Sequence, residues 1–296
     1  MTVLVIGEAL VDVVQRPGRE PEPHAGGSPF NVAVGLARLD VPTALAAQIG
    51  PDRYGDGLRW HLADSDVTLL ELEPVPERTS TAAATLADDG SATYEFDLTW
   101  DPTGLPDPAE VDAVHVGSLG TALEPGATLV ADLVLAADVI GVPVSYDPNV
   151  RLAVEPDPEV WRRVFEAIAP HASIIKMSDE DAAALFPGEE PADLARRLAA
   201  DHGIVAITCG GDGAVIATAG AFASVPPADV RVVDTIGAGD SFMAAMLAWC
   251  ATYDWPAADE LDATELTDLA MYASSAAAIT CSRPGADPPH TRDLTP

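Results

Sequence analysis

The sequence predicts an α/β fold: a mostly parallel sheet covered by helices on both faces, with a small β appendage. Three observations predict it. Short apolar runs rich in β-branched residues alternate with segments of helical period along most of the chain. That alternation is the pattern of βαβ units, whose strands are buried on both sides. One pair of Thr- and Ala-rich stretches, 79–86 and 91–98, breaks the pattern around an Asp89-Gly90 pair of hairpin type.

In chain order, residues 3–6 form the first buried strand and 29–39 the first helix, entered through Gly26-Gly27-Ser28-Pro29. The hairpin follows. In its second arm Tyr94, Phe96 and Leu98 share one face, and Thr93, Glu95 and Asp97 the other. Proline-bearing stretches at 74–78 and 102–108 bracket it as hinges, so a lid over the main body is expected. Residues 111–116, 142–146, 173–176 and 204–208 are further strands, and 128–140, 159–168 and 192–200 further helices. A short strand at 230–233 leads into a helical run at 239–250, and 265–281 is a second. No linker divides the chain, so residues 1–296 are expected to form a single domain.

Acidic residues outnumber basic ones 47 to 15, for a formal net charge of −32. Such a field repels nucleic-acid phosphates and excludes nucleic acid as a partner. Most of these carboxylates read as solvated charge that serves solubility or tolerance of salt. No apolar run reaches bilayer-spanning length, so no membrane is expected as a partner. The opening stretch is interrupted by Glu8 and Asp12 with no basic region before it, which argues against a signal peptide and for a cytoplasmic protein. Cys209, Cys250 and Cys281 are too widely spaced for a disulfide framework or zinc site and read as buried free thiols.

Four stretches carry chemistry. Asp234-Thr235-Ile236-Gly237-Ala238-Gly239-Asp240 ends at a helix start, where small residues leave amides uncovered and the helix dipole favours an anion. There Asp240 is placed to accept a proton from a hydroxyl while the amides of Gly237, Ala238 and Gly239 hold a transferring phosphoryl group. Alone, the stretch reads equally as a tight turn with a capping acid. In Gly26-Gly27-Ser28-Pro29-Phe30-Asn31 the glycines admit a ligand close to the backbone, and Asn31 offers a donor and an acceptor that suit a vicinal diol. Alone, it is more often plain helix punctuation. Asp12 follows the first strand, where α/β sheets bind ligands, or is a solvated loop acid. Arg151, in Asp147-Pro148-Asn149-Val150-Arg151, either holds a phosphate or sugar oxygen or makes a surface salt bridge. Several signatures are missing. The chain's one lysine, Lys176, precedes Met177, which rules out a P-loop, and no protein-kinase catalytic loop or dinucleotide fingerprint occurs.

Together and in this order, these motifs resemble those of the PfkB, or ribokinase-type, carbohydrate kinase family. Residues 26–39 are similar to its N-terminal signature and 234–242 to its C-terminal one, and the likeness runs nearly end to end. The resemblance implies a ribokinase-like three-layer α/β/α fold with a small β lid, formed by about residues 13–25 and 79–100. It also implies transfer of the γ-phosphate of ATP to a sugar hydroxyl, with Asp240 as base and Gly237, Ala238 and Gly239 as anion hole. Asp12, Gly26, Gly27 and Asn31 would bind sugar, with Phe96 and Tyr94 closing over it and Arg151 near the substrate. Lys176, Ser178, Thr208, Gly210 and Gly213, with Gly237 and Gly239, would lie on the nucleotide side. Asp234, Ser282 and Gly285 resemble a monovalent-cation site for K⁺. The family's Asn-x-x-Glu appears here as Ser178-Asp179-Glu180-Asp181, so Asp181 would order Mg²⁺-bound water.

Gly7-Glu8-Ala9-Leu10-Val11-Asp12, Tyr94-x-Phe96 and Asp147-Pro148-Asn149-x-Arg151 look most like the fructokinase branch. Scarce cations argue against a phosphorylated sugar. 2-Keto-3-deoxygluconate and ribose are the alternatives, the former because Arg151 equally suits a carboxylate. A sugar-responsive binding protein on a kinase fold is the alternative of another class. Lids in this family often pair across a homodimer, but the short hairpin carries no edge-to-edge signal for one.

Overall fold

The first strand, β1 (Val3–Ile6), is buried at every position, as a run between two helix layers must be. A computed structural model describes residues 1–15, 20–86 and 92–294. The Asp89-Gly90 turn and the side chain of Tyr94 lie outside the described residues. After β1 come β2 (Leu10–Gln15), β3 (Glu22–Gly26), α1 (Ser28–Arg38), β4 (Thr43–Ala47), α2 (Arg53–Asp64) and β5 (Thr68–Glu71). The hairpin strands are β6 (Ser80–Leu86) and β7 (Ala92–Asp97). Next follow β8 (Ala113–Gly117), α3 (Gly126–Val139), β9 (Val144–Asp147), α4 (Pro158–Ile168), β10 (Ile174–Ser178) and α5 (Asp179–Leu185). The chain continues through α6 (Pro191–His202), β11 (Ile204–Thr208), β12 (Ala214–Ala217), β13 (Phe222–Val225), α7 (Ala238–Thr252), α8 (Ala263–Cys281) and α9 (Thr291–Leu294).

Nine strands make one sheet in the order β13-β12-β11-β10-β9-β8-β1-β4-β5. From β5 to β11 every pairing is parallel, and β12 and β13 add an antiparallel edge. Side chains alternate between two cores. Val3 and Val5 of β1 enter the core shared with α1, α7 and α8, whereas Leu4 and Ile6 enter the one shared with α3, α4 and α6. The fold is thus the expected three-layer α/β/α arrangement. A second sheet of four strands, in the order β3-β2-β6-β7, stands apart from the large one.

Helices α1 and α7 set the geometry of the site. Their contacts pair Ser28 and Asn31 with Asp240, then Gly35 with Ala244, so the two run parallel with their N-termini side by side. A side chain at Gly35 would lie 2.7 Å from Ala244 Cβ, so only glycine permits this approach. Helix α7 is apolar and buried from Phe242 to Ala248, and the Ser241 and Thr280 hydroxyls, 2.7 Å apart, fasten it to α8.

Three expectations change. Residues 230–233 are not a strand. The amides of Val233 and Asp234 both donate to the carbonyl of Cys281, and Val232 and Val233 are 59% and 55% exposed. Of the three free thiols only Cys250 is buried, with Cys209 and Cys281 half-buried. Asp12 lies within β2 rather than in a loop, because β2 continues almost directly from β1 into the second sheet.

Candidate active site

The parallel strands bring Glu8, Asp147, Ser178 and Thr208 to one edge of the sheet, at or just beyond the carboxyl ends of β1, β9, β10 and β11. Helix α7 begins at that edge. Its N-cap, Gly237, is left-handed (φ 75°), and a side chain there would meet Ala286 Cβ at 2.6 Å, so glycine is required twice over. Asp240 is buried in the first turn. Its Oδ1 accepts from Ser28 Oγ at 2.7 Å and its Oδ2 from Asn31 Nδ2 at 2.8 Å. Two neutral donors on α1 therefore fix the carboxylate beside the first-turn amides of α7, among which that of Ala238 donates to the Thr235 carbonyl at 3.3 Å. Asn31, expected to face sugar, gives its amide nitrogen to Asp240, which leaves its carbonyl oxygen for a ligand. Sequence reasoning took Ser28 only as helix punctuation; its place beside Pro29 in the Gly-Gly-Ser-Pro motif was the available signal.

Asp12 projects over Gly26, where any side chain would collide with its carboxylate, and a side chain at Gly27 (φ 99°) would meet the Glu8 carbonyl at 2.6 Å. Burial pushes the Asp12 carboxyl above its ordinary value, opposed by His24 and Arg151 and reinforced by Asp240. Glu8, missed by sequence reasoning, accepts from the amide of Gly120 at 2.9 Å. Burial pushes it up to about 7 against the hydrogen bonds from Ser118 and Gly120 and the charge of Arg151. Arg151 itself is exposed, its guanidinium donating to the carbonyl of Val150 at 3.3 Å. Its positive charge draws the carboxyls of Glu8 and Asp12 down against their burial. Phe96 lies on β7 opposite Ala82, in the second sheet.

On the other flank, Lys176 Nζ lies 2.9 Å from Asp147 Oδ2, and both side chains are buried. Ser178 caps α5: its Oγ accepts from the amide of Asp181 at 3.0 Å, while Asp181 Oδ2 accepts from the Ser178 amide and hydroxyl. Asp181 Oδ1 accepts from the amide of Val150 at 2.7 Å. Protein donors thus fill three acceptor sites of that carboxylate. Thr208, Gly210 and Gly213 form the turn from β11 to β12, where Gly213 (φ 92°) passes too close to the Val225 carbonyl for any side chain. Asp234 accepts from the amides of Ile236 and Gly285. Burial raises its carboxyl, but these donors and Thr235 more than offset it and hold it below its ordinary value. Ser282 Oγ donates to Ile279 at 2.6 Å. Among the described residues no three or more His, Cys, Asp or Glu side chains cluster as a metal cage. No helix among the described residues is long and apolar enough to cross a membrane.

A carboxylate fixed at a helix N-terminus, over the carboxyl ends of a parallel sheet, is an arrangement suited to phosphoryl transfer. The chain belongs to the pfkB family of carbohydrate kinases, whose family model matches residues 2–292. The fructokinase of Klebsiella pneumoniae is 32% identical over 291 residues, covering 95% of this chain and 94% of its own. A double-mutant fructokinase of Vibrio cholerae O395 in fructose, ADP and potassium ion bound form matches with a TM-score of 0.81 at 25% identity, covering 99% of this chain and 96% of its own. An uncharacterized sugar kinase of Pyrococcus horikoshii in complex with ATP matches with a TM-score of 0.79 at 25% identity, over 100% of both chains. The ribokinase-like fold and the class of reaction, phosphoryl transfer to a sugar hydroxyl, agree with the reading of the sequence.

Proposed function

We propose that the protein is an ATP-dependent fructokinase with Asp240 as its base. The observation that carries this reading is the pair of donors, Ser28 and Asn31, that hold both oxygens of the Asp240 carboxylate in the first turn of α7. The choice of fructose is supported by the fructokinases the chain resembles over nearly its whole length.

In the reaction the sugar hydroxyl oxygen attacks the γ-phosphorus, and the bond from phosphorus to the β–γ bridging oxygen breaks. ADP leaves, and the hydroxyl proton passes to Asp240. The amides of Gly237, Ala238 and Gly239 draw the charge of the moving phosphoryl group. Asp12, the backbone of Gly26 and Gly27, and the carbonyl oxygen of Asn31 grip the sugar, with Arg151 at its rim. Phe96 and Tyr94 of the four-stranded sheet close over it and exclude water, which keeps ATP from hydrolysis. Thr208, Gly210 and Gly213 shape the nucleotide side. Mg²⁺ would offset the charge of the phosphates, and Asp181 would order water around it. Asp234, with Ser282 and Gly285, would hold K⁺. The three free thiols suit a cytoplasmic setting.

The test is ADP release from ATP and Mg²⁺, with K⁺ present, across fructose, ribose, 2-keto-3-deoxygluconate, adenosine and fructose 6-phosphate. Turnover confined to fructose is expected. Turnover with 2-keto-3-deoxygluconate instead would assign Arg151 to a carboxylate and overturn the sugar but not the mechanism. Silence from folded protein, with sugar binding intact, would make it a sugar-responsive binding protein.

A further inference from the structure

We infer that Lys176 and Asp147 form a buried positioning pair, which fixes a positive charge beneath the first turn of α7 and so tunes Asp240 and the anion hole without touching the nucleotide. This inference rests on the kinase reading above and assigns Lys176 a role different from direct nucleotide contact.

Lys176 is the only lysine among 296 residues, in a chain of net charge −32, and it is interior. Its side chain is 4% exposed, and that of its partner Asp147 is 0% exposed. An ion pair taken out of water on this scale contributes little to stability, because desolvation offsets most of the attraction. Its position gives it another use. A side chain at Gly239 would lie 2.8 Å from Lys176 Nζ, so the ammonium occupies the space beside the residue that precedes the base. Gly239 is therefore constrained from below by Lys176 as well as from above by the need for open amides.

The charges around the pair come from every neighbouring element. Asp147 of β9, Asp181 of α5 and Asp240 of α7 all act on Lys176. Burial pulls the ammonium down, but these three carboxylates more than offset it and keep it cationic. His115 of β8 is wholly buried, its Nδ1 3.0 Å from Ser145 Oγ and its Nε2 without a partner. Burial and the nearby ammonium hold its ring down to about 3, so it is neutral and Lys176 supplies the positive charge. Asp240 faces Asp12 of β2 and Asp147 of β9 as like charges, against Lys176 of β10 as the opposite one. Remove Lys176 and the base sits among carboxylates alone, which favours its protonated form. The amides of the first turn also lose the cation that reinforces their pull on a phosphoryl group.

The experiment compares wild type with Lys176→Met/Asp147→Asn, which deletes both charges together and leaves neither buried alone. Gly239→Ala, which displaces Nζ by contact, is the second variant. Two readouts are taken. The Asp240 carboxyl is titrated by carbon-13 NMR, assigned by its loss in Asp240→Asn, and kcat and KM are measured against pH. In the folded double variant the Asp240 titration and the acid limb of kcat should move up, by less than about one pH unit because Asp147, which repels Asp240, is removed along with the cation packed against Gly239. At the pH optimum kcat should fall by roughly tenfold or more, with the sugar KM within about threefold of wild type. Gly239→Ala should show the same upward direction. A folded double variant whose Asp240 titration is unmoved overturns the inference, whatever its turnover. A double variant that shifts upward beside a folded wild type that releases no ADP removes the kinase reading instead, so the two failures are told apart.

Discussion

Asp240 receives one hydrogen bond on each oxygen, and both donors come from the first turn of a different helix. Each donor is neutral, so it orients the carboxylate without placing a competing charge beside it. Asp240→Asn keeps the shape and removes the proton acceptor, and is expected to lower kcat by roughly a thousandfold with the melting temperature little changed. Ser28→Ala removes one orienting bond only, and kcat should fall about tenfold, the scale of one buried hydrogen bond. Steady-state ADP release and a thermal melt on each variant check both, and near-wild-type turnover in Asp240→Asn would sink the base assignment. Glu8 makes a prediction of the opposite kind, about stability. Its folded value, about 7, lies above its ordinary 4.5, so the native state binds its proton more tightly than the unfolded chain does. Its contribution is full below pH 4.5 and is lost as pH rises through 7, about 3 kcal/mol in all. Glu8→Gln lacks this titration. Urea denaturation should show the stability gap between variant and wild type changing by about that amount across the window, whereas a constant gap would refute it.

The parallel contact of α1 and α7 turns two local motifs into one site. Gly35 is its closest point, 2.7 Å from Ala244 Cβ for any side chain placed there. Gly35→Val should push the helices apart, lowering stability by about 1–3 kcal/mol in urea denaturation. It should also lower kcat, because the donors of α1 would withdraw from Asp240. Loss of stability with unchanged kcat would mean that the two N-termini are held together by something other than this contact. Elements of this kind were unevenly legible. β11 and helices such as α3 and α8 were plain from their periodicity, but α2, β4 and β5 were not; the Ala-rich Thr43–Ala47 has no strand preference and is made a strand by its neighbours β1 and β5. Residues 230–233 failed in the other direction. Their β-branched composition suits a strand, but the backbone there bonds to the end of α8 rather than to a strand edge. The two signatures at 26–31 and 234–240 were legible one by one. The bond from Ser28 to Asp240, across 212 residues, was not, because it depends on how two helices cross and not on any local pattern.

At the scale of the molecule, the net charge of −32 opposes the approach of MgATP, itself an anion. Close to the site this is countered by the α7 amides and Lys176, but those act over short range, while the repulsion of the many surface carboxylates acts at a distance. Salt separates the two. At about 0.1 M ionic strength screening sets in over about 10 Å, which weakens the distant repulsion and leaves buried groups such as the Lys176–Asp147 pair nearly untouched. With K⁺ and Mg²⁺ held constant and an inert salt raised, the KM for MgATP should therefore fall several-fold, and the KM for an uncharged sugar should stay flat. The same screening relieves repulsion within the folded chain, so the melting temperature should rise over the same range. A KM for MgATP that instead climbs with salt would show that the exposed arginines near the site, Arg151 among them, govern the nucleotide's approach, and that the acidic surface is too remote to be felt there.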